Sequence, residues 1–257
     1  MEHHAQSLGG VHPEPDARGV DRRRFLGQLA AAGLVASGAE ALVAGATANA
    51  AVTAGTTLRL RANFDIQNTD PAFWPTHIDE WIALCSMEGL VSFKPGTFDN
   101  VKCLAETLEP SKDGMRIHFT LKQGVEFQGG YGEMTSDDVK YSYERIAGLT
   151  KPNLHAVYQG DWGALRRVKT EGKYAGTIIL KEKFAPLSRS TMPAGAGLVV
   201  SKKAVEKLGK KFATHPIGTG PYMFDHWTQG QEFGLKANPH WWGGKVRYQT
   251  VTIKIIP

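Results

Sequence analysis

PIGTGPYMF, residues 216–224, is the stretch that decides the fold, because it joins a glycine turn to the start of a strand. Gly218 and Gly220 permit a tight turn, and Pro221 helps to fix the backbone where the strand begins. The strand leads through a glycine-containing hairpin loop to a second strand at residues 233–236. Because a strand and not a helix follows the glycines, the turn offers no helix N-terminus to a phosphate group.

Outward from this hairpin, the sequence alternates short strands with a few helices. Alternating or continuous apolar residues predict further strands at 57–62, 115–121, 177–180 (a buried run) and 251–256. Apolar residues at helical spacing predict helices at 78–90, 135–146 and 201–208, the last closed by Gly209. Strands in hairpins with helices between them predict a mixed α/β (α+β) architecture with flanking helices, and not a doubly wound nucleotide-binding fold.

Two adjacent carboxylates, Asp137 and Asp138, stand at the start of the second predicted helix. With Thr135 and Ser136 they form a variant of the capping box in which Asp replaces the usual Glu or Gln. Paired carboxylates can serve acid–base catalysis, but acids in a first helical turn are favoured by the helix dipole. We therefore interpret this pair as structural.

Composition and charge exclude several classes of protein. A 42% hydrophobic content without low-complexity bias is typical of a globular chain. No apolar run reaches the length of about 18 residues that a spanning helix needs. The net charge of +5 comes from scattered Lys and Arg, with no basic stripe interleaved with aromatic residues. We therefore expect no nucleic-acid partner.

The first fifty residues have the features of an export signal. RRRFL at 22–26 resembles the twin-arginine pattern, a weakly apolar stretch follows, and Ala48-Asn49-Ala50 fits a cleavage site. We expect residues 1–50 to be a twin-arginine signal peptide; the alternative is an amphipathic helix that happens to follow an arginine cluster. Position 51 is not cysteine, so we expect a periplasmic protein without a lipid anchor.

The two cysteines, Cys85 and Cys103, leave two interpretations open. An oxidising compartment permits a disulfide between them, whereas two buried free thiols fit the usual placement of cysteine. Two cysteines are too few for a Cys-rich zinc site. The six histidines beyond the signal are scattered without ligand spacing, and no zinc-helix, serine-elbow or Walker motif is present. We therefore expect no metal, no cofactor and no enzymatic activity.

Six ordered motifs between Thr57 and Pro257 resemble the peptide/nickel family of ABC-importer solute-binding proteins, which includes the dipeptide- and oligopeptide-binding proteins. Residues 216–224 resemble "P-x-G-T-G-P-Y-x-F", and NPHWWGGK (238–245) resembles "N-P-x-Y-W-G-G-K". VTIKIIP (251–257) resembles the strand "V-x-x-x-I-I-P". Apart from the six motifs, Glu88-Gly89-Leu90 keeps the end of "Y-E-G-L", with Met87 in place of the Tyr. Similar likenesses occur at residues 104–107, 113–127 and 135–145.

The resemblance implies a fold, a partner and a site. Members are two-lobed clamps, so residues 51–257 are expected to form the first lobe, with a small subdomain, and to stop before the second lobe. The expected function is to bind a peptide or peptide-like solute and present it to an ABC permease in the membrane, as a monomer. The site residues that the resemblance nominates are Asn63, Phe64, Asp65, Phe73 and Trp74. Tyr158 and Trp162, in a polar aromatic loop, could cover a ligand. The alternative is that all seven are packing aromatics and polar turn residues. Trp74 is the leading choice, because an aromatic ring stacks on a flat amide.

Two other functions remain open from the sequence. The chain could be a truncated, non-functional fragment of such a protein. It could also be an exported enzyme, which is the less supported of the two.

Overall fold

A computed structural model describes residues 56–150 and 154–257 of the chain. All of them belong to one compact unit, Val52–Pro257. The predicted signal peptide and its cleavage site lie outside the described residues. The elements of this unit are β1 (Thr57–Ala62), α1 (His77–Ser86), β2 (Val91–Phe93), β3 (Asn100–Lys102), β4 (Ala105–Pro110), β5 (Arg116–Leu121), β6 (Glu126–Phe127), β7 (Gly132–Glu133), α2 (Ser136–Ile146), β8 (Leu165–Thr170), β9 (Ala175–Leu180), α3 (Lys202–Leu208), β10 (Tyr222–Thr228), β11 (Glu232–Ala237) and β12 (Thr250–Ile255).

The first sheet has the order β1-β12-β11-β10. β1 pairs with β12 in parallel, and the other two pairings are antiparallel, so the sheet is mixed. Ile78 and Ile82 of α1 enter its core together with Phe233 and Val251 from the strands. Thus the strand that begins the described chain and the strand that ends it lie side by side under α1.

The second sheet is antiparallel, with the order β4-β5-β9-β8. The predicted alternation along β5 is confirmed: Ile117, Phe119 and Leu121 are buried, and the residues between them are more exposed. α2 packs Val139 and Tyr143 onto this sheet. Two small hairpins, β2–β3 and β6–β7, complete the strand pairings.

The three predicted helices are present, but the end of the first differs from the prediction. Thr135 begins α2 as predicted: its backbone N–H and its hydroxyl both donate to the Asp138 carboxylate, at 3.0 and 2.9 Å. Gly209 closes α3 with a φ of 52°. The first predicted helix, however, ends at Ser86 and not at Leu90, because the Met87 residue that follows has extended backbone angles. β9 alternates between buried and partly exposed residues, so it is not the fully buried strand that its apolar run predicts.

The glycine turn is present, but the predicted reason for its glycines is wrong. Neither Gly218 nor Gly220 has a positive φ. Their need for glycine is steric, because a Cβ on Gly218 would lie 2.2 Å from the Ser86 carbonyl oxygen, and one on Gly220 would lie 2.7 Å from the Ser86 carbonyl carbon. The turn therefore packs directly against the end of α1.

None of the helices in residues 56–150 and 154–257 combines the length and the apolar character that a membrane span requires.

Candidate functional site

A single carboxylate, that of Glu88, connects three of the sequence motifs. Its Oε2 atom accepts hydrogen bonds from the Thr219 hydroxyl at 2.9 Å and from Trp242 Nε1 at 2.7 Å. Its Oε1 atom accepts a third, from Trp241 Nε1, at 3.1 Å. The carboxylate therefore joins the chain just after α1 to the glycine turn and to the tryptophan loop that precedes β12.

The environment of Glu88 indicates a structural role. Burial raises the pKa of Glu88, and the three hydrogen bonds act in the opposite direction. Lys122 Nζ lies 4.1 Å from the centre of the Trp242 ring and donates to the Cys103 carbonyl at 2.5 Å. The hydrogen bonds of Thr219, Trp241, Trp242 and Lys122 thus hold loops, and sequence reasoning missed this cluster. The sequence feature that could have revealed the cluster is the adjacent pair Trp241 and Trp242, because a buried indole N–H group needs a hydrogen-bond acceptor.

Both cysteines are free thiols in this structure. Burial raises the pKa of Cys85 to about 11 and that of Cys103 to about 12. A protonated thiol is a poor nucleophile, because the thiolate is the reactive form. Of the two interpretations that the sequence leaves open, the structure shows the free thiols, and both side chains are partly buried.

The loop after β1 lies where the two parallel strands end. The Ile256 amide, just past β12, donates to the Ala62 carbonyl at 2.8 Å. Asn63 and Phe64 are exposed beside this contact, Phe64 with 42% of its surface accessible. In open α/β sheets, ligands bind outside the carboxyl ends of parallel strands. This edge therefore exposes an amide side chain and an aromatic ring.

Asp65, the third predicted residue of this loop, anchors it. Its Oδ1 atom accepts from Trp227 Nε1 at 3.0 Å and from the Ile66 amide at 2.8 Å. Its Oδ2 atom accepts from the Gly230 amide at 2.6 Å. These bonds attach the loop to the β10–β11 hairpin, so the carboxylate is occupied within the protein.

Trp74 and Tyr158 form a stacked pair, with ring centroids 4.1 Å apart. Trp74 is only 7% exposed, and Gly195 is close enough that a Cβ there would lie 2.7 Å from the indole. Trp74 Nε1 is buried without a hydrogen-bond partner among the described residues. Tyr158 is only partly buried. The ring that faces solvent is therefore that of Tyr158, with Trp74 beneath it.

Trp162, which the sequence nominates to cover a ligand, lies in the core. It is 1% exposed and stacks on Tyr143 at 4.1 Å, and its Nε1 donates to the Ala196 carbonyl at 2.8 Å. Its ring and its polar atom are both satisfied by the protein. We therefore leave Trp162 out of the site proposed below.

Phe73 borders a groove that contains a buried ion pair. Arg145 donates to Asp70 through two bonds, at 2.8 and 2.6 Å, and its guanidinium carbon lies 5.5 Å from the Phe73 ring centre. The groove has a volume of about 1000 Å³, and its rim includes Thr150 and Leu154, which flank the three residues that the structure does not describe. Because the carboxylate and the guanidinium neutralise each other, the floor of the groove has no free charge at this point.

The predicted residues thus fall into two groups. Asn63, Phe64 and Asp65 adjoin the first sheet, whereas Phe73, Trp74, Tyr158 and Trp162 adjoin the core of the second. Within residues 56–150 and 154–257, no cluster of three or more His, Cys, Asp or Glu side chains is placed to hold a metal ion.

Comparison with known proteins shows the family and the fold class of this chain. Residues 100–257 match the family model described as "Bacterial extracellular solute-binding proteins, family 5 Middle". The solved structure of the binding protein MoaA from A.tumefacien R10, in complex with mannopinic acid, overlaps with a TM-score of 0.73 at 27% identity, over 79% of this chain and 41% of that one. The predicted fold, a mixed α/β lobe of the periplasmic-binding-protein type, is confirmed.

Two named relatives are similar in sequence. The probable D,D-dipeptide-binding periplasmic protein DdpA of Escherichia coli K12 is 28% identical over 75% of this chain and 38% of its own length. The oligopeptide-binding protein AppA of Bacillus subtilis is 32% identical over 62% of this chain and 30% of its own length. By name, both are binding proteins. The chain spans about a third of the length of these relatives.

The chain belongs to the family 5 bacterial extracellular solute-binding proteins, and the resemblance inferred from the ordered motifs is confirmed.

Proposed function

We propose that this chain is the N-terminal part of an exported, periplasmic solute-binding protein, without enzymatic activity, that binds peptides or peptide-like solutes. In this proposal it acts as a monomer and presents the solute to an ABC permease in the membrane. The observation that supports it most is the family match over residues 100–257. The peptide class is supported by the names of the two relatives, which bind D,D-dipeptides and oligopeptides.

The proposed organisation has two parts. Residues 1–50 form a twin-arginine signal peptide, and residues 51–257 form the first lobe of a clamp that a second lobe completes in the longer protein. The twin-arginine route needs two adjacent arginines, and Arg24 could replace a lost Arg22 by shifting the pair by one position. Replacement of Arg22, Arg23 and Arg24 by Lys together should therefore keep the precursor in the cytoplasm. Unchanged export of this triple variant would refute the signal assignment.

The proposed solute surface is the carboxyl edge of β1 and β12. Asn63 supplies donors and an acceptor for a peptide group, Phe64 supplies an exposed ring, and Asp65 holds the loop in place. Tyr158, supported by Trp74, is proposed as a second contact, with Phe73 at the border of the neighbouring groove. We propose that the second lobe of the longer protein faces this edge.

The experiment is a nuclear magnetic resonance titration of the isotope-labelled chain with short peptides at millimolar concentration. We expect the amide signals of Asn63 and Phe64 to shift. Replacing Phe64 by Ala should weaken binding about fivefold, since roughly half of a buried phenyl contribution is lost. Phe98, which is 92% exposed on the β2–β3 hairpin, is the matched control, and Phe98→Ala should bind normally. Shifts that spare Asn63 and Phe64, or an equal effect of both variants, would refute the assigned surface.

A further inference from the structure

The lysine patch, defined as Lys202, Lys203, Lys207, Lys210 and Lys211, is a strongly charged surface to which the proposed function assigns no role. All five side chains are exposed. They belong to α3 and to the short 3-10 helix that follows it after the positive φ of Gly209. The solitary acid within the same ten residues is Glu206, whose carboxylate lies 4.0 Å from Lys202 Nζ.

The fold turns these lysines outward. Ala204 is fully buried, and Val205 and Leu208 pack against the same apolar cluster, so one side of α3 is fixed to the protein. At about 100° per residue, Lys202, Lys203, Glu206 and Lys207 occupy an arc of about 140° on the opposite side. Lys202, Glu206 and Lys210 border one groove, and Lys203 and Lys207 border another. The patch is therefore continuous across both helices.

The patch holds most of the net charge of the exported part. Beyond residue 50 the chain has 26 basic and 20 acidic residues. Five lysines and one glutamate give the patch a charge of +4 out of this total of +6. The rest of that part of the chain has a charge of +2, so two thirds of the net positive charge belongs to the patch.

Acids on the neighbouring helix shape the electrostatic field of the patch. The first turn of α2 brings Asp137 and Asp138 to the Lys202–Lys203 end, where Asp138 accepts a hydrogen bond from the Lys202 amide at 3.1 Å. Lys207, Lys210 and Lys211 lie at the other end and have no ion pair among the described residues. The field is therefore strongest around these three lysines.

We propose that the lysine patch binds weakly to the surface of an anionic phospholipid bilayer. Protein interfaces are enriched in aromatic residues and Arg and depleted of Lys, and the large exposed apolar residues of the described chain all lie outside residues 202–211. A compact ammonium group instead acts at a distance as a point charge, which suits a diffuse array of phosphates. Such binding enriches the protein at the membrane, with the lysine patch turned toward the lipid.

The test is vesicle co-sedimentation of the purified full chain without solute or permease, so its outcome does not depend on the proposed function. We expect binding to phosphatidylglycerol–phosphatidylcholine vesicles at about 50 mM salt, loss of binding at about 300 mM, and none to phosphatidylcholine alone. Replacing the five lysines of the patch by Gln should weaken binding about tenfold or more, because each lysine near an anionic surface contributes.

The matched control replaces five exposed lysines elsewhere by Gln: Lys94, Lys112, Lys181, Lys183 and Lys245. It changes the net charge by the same amount and should retain binding. Equal loss in both variants, or no binding by the parent chain, would overturn the proposal. Patch-dependent retention on a polyglutamate resin without vesicle binding would also overturn it, in favour of an acidic protein partner.

Discussion

The Glu88 carboxylate accepts three hydrogen bonds, so a substitution at this residue tests how much these bonds contribute to the stability of the protein. Gln has the same shape but replaces one acceptor oxygen with a donor amide. At least one of Thr219, Trp241 and Trp242 then loses its acceptor. We expect Glu88→Gln to lower the free energy of unfolding by about 1–3 kcal/mol, the usual cost of an unpaired buried donor.

Urea denaturation followed by tryptophan fluorescence measures this loss. Glu109→Gln is the control, because Glu109 is exposed at the end of β4 and should tolerate the change. Equal stability of the Glu88 variant and the parent chain would show that the three bonds contribute nothing net.

Glu133 gives a prediction about pH. Hydrogen bonds from Lys173 Nζ, the Gly124 amide and the Tyr174 hydroxyl lower its pKa from 4.5 to about 2. A lowered carboxyl pKa adds stability above the unfolded value of 4.5, and this contribution disappears as pH falls toward about 2. Glu133→Gln should therefore melt below the parent chain at about pH 6, by a small margin because Lys173 is half exposed.

The melting temperatures of the two proteins should converge as pH falls from about 4.5 to about 2.5, which differential scanning calorimetry can follow. A gap that stays constant over this range would mean that Glu133 acts through packing and not through its charge.

Single side chains also show where sequence reasoning reaches its limit. The capping role of Asp138 is predictable because its partner is three residues away. The fates of Trp74 and Trp162 are not, because burial depends on Gly195, Tyr143 and Ala196, which are distant in sequence. The acceptor role of Glu88 likewise needs two loops to meet, and no local pattern contains that information.

The turn between the Pro216 segment and β10 offers a test of packing between elements. A Cβ at Gly218 would lie 2.2 Å from the Ser86 carbonyl oxygen and 2.6 Å from Met87 Cα, and both neighbours are backbone. The end of α1 would have to move away. We expect Gly218→Ala to destabilise the protein by about 2 kcal/mol or more, as overpacking does.

Gly160 is the matched control, since nothing lies within 4 Å of a Cβ placed there and its φ is not positive. Gly160→Ala should be neutral or slightly stabilising in the same denaturation experiment. If both variants unfolded alike, the close contact between the turn and α1 would not matter energetically.

Most strands and helices follow from local periodicity and caps, and this explains why they were predictable. The apolar alternation in β5 and the Ser201 and Gly209 caps of α3 are each complete within a few residues. The end of α1 was predicted too late because Leu90 keeps the helical spacing although the backbone has already turned at Met87. Spacing alone does not show where a backbone changes direction.

The proposed assignment of the chain to a single lobe leads to a prediction about affinity. A solute on one lobe remains half solvated, so its hydrogen bonds compete with water and contribute about 0.5–1.5 kcal/mol each. The loss of three contacts to an opposing lobe weakens binding roughly a hundredfold. We expect this chain to bind short peptides no more tightly than about millimolar in titration calorimetry. A micromolar complex would contradict its assignment as half of a clamp.

For the molecule as a whole, the order of motifs was enough to predict the family and the mixed fold. The site was harder, because its residues come from two separate cores. Asp65 anchors its loop to the β10–β11 hairpin. Tyr158 is partly buried, and its ring is more accessible than that of Trp74. Only the three-dimensional arrangement separates residues that hold a loop from residues that face a solute.

The pairing of β1 with β12 has a consequence for synthesis on the ribosome. The two strands meet at Thr57 and Thr250, whose hydroxyl groups lie 2.7 Å apart although 193 residues separate them. At about 5–20 residues per second, β1 leaves the ribosome about 10–40 s before its one strand neighbour in the described chain exists. The second sheet is complete by Leu180 and can fold during that interval. Until β12 has been synthesised, the backbone hydrogen-bonding groups of β1 are unpaired, and β1 can pair with a strand other than its native neighbour.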